Sequence, residues 1–198
     1  MTSRLECMLL SLLAVLAAVY CFRVRTPEEP AALLLPVLVH EFSHAAALLL
    51  LGFRIRGLRL EPQGLCIRYE GSRSDLAHAI ASLAGPAGGL LYTALTHASP
   101  APWLVLSADV SLLFSLFNLL PLMPLDGGRA FWILCRAVLG EAGEELFQTV
   151  SRVFLALLLL VGVYAAFSNR GSAPMLASLW LLLAQKERQP LVKNRDLL

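Results

Sequence analysis

The feature that most limits what this chain can become is a succession of long apolar runs, at about 5–22, 30–51, 76–97, 103–123, 150–167 and 173–185. A helix needs about 20 mostly apolar residues to cross a bilayer, and it satisfies its own backbone hydrogen bonds while doing so. Only 15% of the residues are charged and 58% are hydrophobic, against about 25% charged in ordinary soluble domains, so a soluble globule is excluded. The expected fold is an all-α polytopic membrane protein of about six transmembrane helices, the last short for a full crossing. At 198 residues the chain has room for one membrane domain, and no separate soluble regulatory domain is expected.

Orientation follows from the basic residues. With the N-terminus inside, the inner regions carry Arg4, the group from Arg54 to Arg73, then Arg129, Arg136 and Arg152, and finally Lys186, Arg188, Lys193 and Arg195. Those are thirteen of the 16 basic residues. Arg23, Arg25 and Arg170 remain outside, so both termini are expected in the cytoplasm. The run after Arg4 lacks a small residue before a cleavage point at Val19-Tyr20-Cys21, and is read as a helix rather than a signal peptide. A net charge of +2 gives no reason to expect a nucleic-acid partner; the bilayer is the partner that the composition implies.

Between the second and third runs, FRIRGLRLEPQGLCIRYEG alternates apolar and basic residues around the turn-like Glu61-Pro62-Gln63-Gly64. A short amphipathic β-hairpin is expected, with an interfacial loop as the alternative. Cys7, Cys21, Cys66 and Cys135 are scattered without a CxxC pair, which argues against a thiolate metal site or disulfide framework. His78 and His97 near opposite ends of the third run, and Trp103, Trp132 and Trp180, are read as interfacial or packing residues.

The second run contains a conflict. VHEFSHA places His40, Glu41 and His44 among alanines, leucines and valines, where ionisable groups are expensive and mark function. On a helix, residues 40 and 44 are one turn plus about 40° apart, so both imidazoles leave one face at a spacing that one zinc ion bridges. Glu41, about 100° from His40, can reach a water held by the metal. This is the HExxH motif, in which zinc lowers the pKa of the water and the glutamate accepts its proton.

A catalytic zinc usually takes three protein ligands. Asp109, near the outer end of the fourth run, is more simply explained by water or a helix hydrogen bond. Asp126 follows NLLPLMPL at 118–125 and precedes Gly127-Gly128. Two prolines would break this helix and two glycines permit a tight turn, aiming a carboxylate inward; alternatively, Asp126 is an N-cap for the segment beginning at Arg129. His40 lies about twelve residues, roughly 18 Å, from the inner end of its helix. The broken stretch approaches the same leaflet, so the two motifs can meet.

With HEFSH at 40–44 and NLLPLMPLDGG at 118–128 in this order, the chain resembles the site-2 proteases, zinc metalloproteases that cut substrates within the membrane. The match is convincing over about 30–130, the expected three-helix catalytic core, and the helices at about 145–186 fit only as apolar segments. The resemblance implies Zn²⁺ bound by His40, His44 and Asp126, Glu41 as general base, and Asn118 placing the substrate peptide. Many relatives have a proline where Met123 stands. AGPAGG at 84–89 is similar to a third-helix motif that often ends in asparagine, whereas Gly89 stands here; it receives no catalytic part, and its small residues are expected to allow close helix packing.

The six-span layout is similar to the branch with a bacterial sporulation protease that releases a sigma factor from its membrane-associated precursor. That branch implies a membrane-associated protein substrate such as a pro-sigma or anti-sigma factor, regulatory membrane subunits, and residence in the bacterial inner membrane. The chain stops at Leu198 after the basic tail QKERQPLVKNRDLL, so control by the nucleotide-sensing CBS domain of that branch is not expected. The rival readings are a zinc transporter or metal-binding membrane protein without protease activity, for which further intramembrane polar residues would be needed, and an inactive assembly subunit.

Overall fold

The computed structural model describes residues 29–61, 64–70, 74–123 and 125–167. The runs at 5–22 and 173–185, and the hairpin tip at Pro62 and Gln63, lie outside the described residues.

Five helices and a two-stranded sheet make up the described chain. Helix α1 spans Glu29–Leu50. It ends at Gly52, whose φ of 76° lets the chain reverse while Phe53 N–H bonds back to the Leu48 carbonyl, a termination that favours glycine. Phe53 then buries itself against Leu48 and Ala81. Strands β1 (Arg54–Glu61) and β2 (Gly64–Glu70) follow, paired antiparallel with a register shift between Ile55 and Gly57. Helix α2 (Asp75–Thr96) opens on Ser74, whose side chain accepts from Ala77 N–H, filling one of the donors a helix start leaves open. Helix α3 spans Pro102–Asn118, with its proline in the first turn, where a missing N–H costs nothing. Helices α4 (Asp126–Leu139) and α5 (Glu141–Phe167) are joined at Gly140, which has a φ of 60°.

Among the described residues, three helices are long and apolar enough to cross a membrane: Pro30–Leu50, Asp75–Thr96 and Glu141–Tyr164. Helix α3 is apolar but shorter. Their outer faces carry large exposed apolar side chains, among them Phe42 at 70% exposure, Leu95 and Leu160. Such a surface needs lipid against it. The chain is an integral membrane protein.

The helix bounds depart from the sequence expectation in two places. The fourth apolar run extends to 123, and the helix within it stops at Asn118, ahead of the prolines expected to break it. Beyond it the chain makes tight turns, with Leu122 N–H bonded to Leu120 O and Leu125 N–H to Leu122 O. The fifth apolar run begins at 150, but α5 starts at Glu141, because the more polar turns before the run still carry an inward face through Phe147 and Ser151.

Helix α2 is the centre of the assembly, packed on α1, α3 and α4, while α5 packs on α4. The α2/α3 seam is polar: Tyr92 OH meets Ser107 Oγ at 2.9 Å, Thr93 donates to Ala108 O and Ser111 donates to Gly89 O. Small residues and hydroxyls at such a seam let helices approach closely and hold them where apolar burial gives no drive. Trp132, at the other side of the bundle, donates from Nε1 to Glu144 at 2.6 Å and ties α4 to α5.

Candidate metal centre

His40 and His44 project from α1 toward α2 and the start of α4. His40 Nε2 is 3.2 Å from His44 Nε2, and the rings meet edge to face with centroids 4.8 Å apart. Asp126, the first residue of α4, places Oδ2 3.0 Å from His40 Nε2 and 3.2 Å from His44 Nε2. Two nitrogens and an oxygen therefore form a nearly equilateral triangle. Ligands about 2.0–2.1 Å from a tetrahedral centre lie about 3.3 Å apart. The observed edges are close to that, and the donor set suits a borderline cation such as zinc.

The alternative role for Asp126 as an N-cap is not what the structure holds. The N-cap position is Leu125, with extended backbone and no side-chain cap bond, and the Asp126 carboxylate faces the histidines. What aims it is the broken stretch behind it. The α4 backbone passes so close to Leu119 and Leu122 that a methyl on Gly127 or Gly128 would strike their backbone atoms. The turn is held from outside by α5: Ser151 Oγ donates to Pro121 O at 2.7 Å, and Leu155 packs with Leu122 and Leu125.

Each histidine is fixed differently. His44 Nδ1 lies 2.7 Å from Ala81 O; a carbonyl can only accept, so Nδ1 carries the proton and Nε2 presents its lone pair to the cluster. His40 is 2% exposed and packs on the Phe114 ring at 4.8 Å between centroids. Its Nδ1 is buried without a hydrogen-bond partner among the described residues. Gly85 of α2 lies directly against both Nε2 atoms, where a methyl group would collide with each.

Glu41 is half-buried on the adjoining face of α1, close enough for its charge to act on His40, His44 and Asp126. Asn118 is buried at the end of α3, where its Nδ2 donates to Phe114 O at 3.0 Å. That bond is local to its own helix. His97 and Asp109 form an exposed pair at 3.4 Å away from the cluster. Among the described residues, His40, His44 and Asp126 are the group of His, Cys, Asp and Glu side chains arranged to hold a metal ion.

Sequence reasoning did not anticipate Ala81, Gly85, Phe114 or Ser151. Gly85 had a visible signal in AGPAGG, and Phe114 lies one turn before Asn118 on the same face of α3. A backbone carbonyl such as that of Ala81 leaves no trace in sequence.

The Peptidase M50B-like family matches residues 9–170. The chain belongs to that family. Stage IV sporulation protein FB of Bacillus subtilis (strain 168) is 32% identical over 166 residues, covering 76% of this chain and 53% of that protein; the chain thus spans about half the length of this relative. The solved site-2 protease from Methanocaldococcus jannaschii aligns with a TM-score of 0.61 over 93% of this chain and 88% of that one, at 18% identity, and shares its fold. The expected site-2 protease membership is thereby met, and the family supports a metalloprotease. Its members' dependence on zinc agrees with the two-nitrogen, one-oxygen donor set of this M50B-like chain.

Proposed function

We propose that this M50B-like protein is an intramembrane zinc metalloendopeptidase of one membrane-embedded domain, hydrolysing a peptide bond in or near a transmembrane segment of a membrane-associated substrate. The observation that carries the reading is the convergence of His40 Nε2, His44 Nε2 and Asp126 Oδ2 within a bundle of apolar helices. Those three residues would hold the ion. Zinc bound there supplies a Lewis acid and a water of lowered pKa.

Glu41 completes the motif HExxH as general base: it takes the proton from the attacking water and passes it to the leaving amine. Asn118 holds the substrate backbone near the scissile bond. A substrate helix must be unwound before its carbonyls can be attacked, and the interrupted backbone at 119–123 offers irregular main chain beside the site, tolerated in a membrane where it lines protein or water.

The substrate is a membrane-associated protein of the pro-sigma or anti-sigma class, cut in regulated intramembrane proteolysis at the bacterial inner membrane, with both termini of the enzyme cytoplasmic. The matched sporulation protein supports that choice of class. The test is co-expression with single-pass candidate substrates, sizing the products formed by the native chain and by Glu41→Gln. A product of the same size and amount from both would overturn the reading.

A further inference from the structure

Two buried side-chain atoms lack a hydrogen-bond partner among the described residues: His40 Nδ1 and Ser115 Oγ. With Nε2 of His40 turned to the triangle, its Nδ1 carries the proton and is a donor. Ser115 Oγ can accept as well as donate. The two groups belong to neighbouring parts of one packed seam. The His40 ring packs at a tilt of 60° against Phe114, the residue next to Ser115. Along α2, Gly85 abuts the Nε2 atoms of the histidines, and Gly89, one helical turn or about 6 Å further along, abuts Ser115 Oγ. Two hydrogen bonds through one water span about 5–6 Å.

Metal-binding imidazoles nearly always donate their second N–H to an oxygen, which fixes the ring and raises its basicity. His44 has such a partner in Ala81 O. His40 has none among the described residues, and the hydroxyls one and two turns earlier on the same face of α3 are already engaged, Ser111 with Gly89 O and Ser107 with Tyr92. Ser115 is fully buried at 0% exposure and uncommitted.

We propose that Ser115 is the positioning residue for His40, its Oγ accepting through one buried water the hydrogen bond from Nδ1–H and so orienting the first metal-binding ring. The inference rests on the zinc-protease reading above. It assigns a role in the metal site to a residue outside both sequence motifs, from a helix that contributes no ligand. It also explains a buried hydroxyl that is otherwise a cost, because an unsatisfied hydroxyl in an apolar interior destabilises the fold.

That cost separates the two roles experimentally. If Ser115 only fills space, Ser115→Ala removes an unpaired polar group and is neutral or stabilising, with zinc affinity unchanged. If Ser115 orients His40, the same variant stays folded but binds zinc about 10–100-fold more weakly. The measurement is chelator competition for zinc on the purified full chain in detergent, with thermal unfolding of the same samples. Ser111→Ala is the control for the seam: it should lower thermal stability by losing its bond to Gly89 O while leaving zinc affinity in place. Weaker zinc binding in Ser115→Ala alone supports the proposal. Native affinity in Ser115→Ala, or an equal loss in both variants, overturns it. Absence of zinc binding by the native chain would instead refute the zinc-protease reading itself.

Discussion

Asp126 Oδ2 lies 3.0 Å from His40 Nε2 although 86 residues separate them in the chain. A carboxylate and an imidazole meet there inside a helical bundle because α3 stops at Asn118, Leu122 and Leu125 close tight turns beyond it, and α4 starts with its first side chain facing α1. The catalytic proposal depends on that break in the helix, since an uninterrupted α3 would carry residue 126 past the histidines.

Glu41→Gln keeps the shape of the side chain but cannot accept a proton. It is expected to retain zinc while cleavage falls by about 10²–10⁴-fold, the range for loss of a general base. Elemental analysis and product sizing on the same preparation check both halves. A parallel loss of zinc and activity would make Glu41 a ligand or a structural support instead.

Gly85→Ala should damage the metal site more than the fold. The added methyl meets the Nε2 atoms of His40 and His44; forcing such overpacking costs about 1–3 kcal/mol, and the rings must turn to relieve it. Gly88→Ala is the comparison, because its methyl meets Ser43 instead. Zinc content should drop in the first and hold in the second, and equal zinc content in both would remove Gly85 from the site.

The loop that aims Asp126 is held by α5, so a change there should act at a distance. Ser151→Ala leaves the Pro121 carbonyl without its donor, a loss of about 1–3 kcal/mol, and Leu155→Ala opens the cluster with Leu122 and Leu125 at about 2–5 kcal/mol. Thermal unfolding should show both losses, accompanied by weaker zinc binding as Asp126 loses its support. Destabilisation with native zinc affinity would mean that the loop is held well enough by its own turns.

Chelation should inactivate the enzyme reversibly. Treatment with a zinc chelator is expected to abolish cleavage, and restoring zinc to recover it; full activity after verified metal removal would exclude metal-assisted hydrolysis.

Sequence revealed the parts of this protein that depend on local periodicity. The spacing of His40 and His44 is a property of any helix, and the apolar runs mark α1, α2 and α3 to within a few residues at their starts. It was less informative wherever position depends on packing. Pro121 and Pro124 announce a break in the fourth run, but Leu119, Leu120 and Leu122 are as apolar as the helix before them, so the sequence does not show that the helix ends at Asn118 or that Ser151 pins the turn at Pro121. The start of α5 is hidden for a different reason: Glu141, Glu144, Glu145, Gln148 and Thr149 interrupt the apolar pattern, while Phe147 and Ser151 carry the inward face of the helix. Ser115 sits in an unremarkable stretch of α3, and only its burial beside Phe114 brings it into consideration.

The most direct measurement is zinc per chain by elemental analysis of the purified native protein and of Asp126→Ala, with folding of both verified by thermal unfolding. One zinc per native chain and a folded Asp126→Ala protein stripped of most of it is the expected result. A folded Asp126→Ala protein that holds a full equivalent of zinc and cleaves at the native rate would contradict a metal shared between α1 and α4.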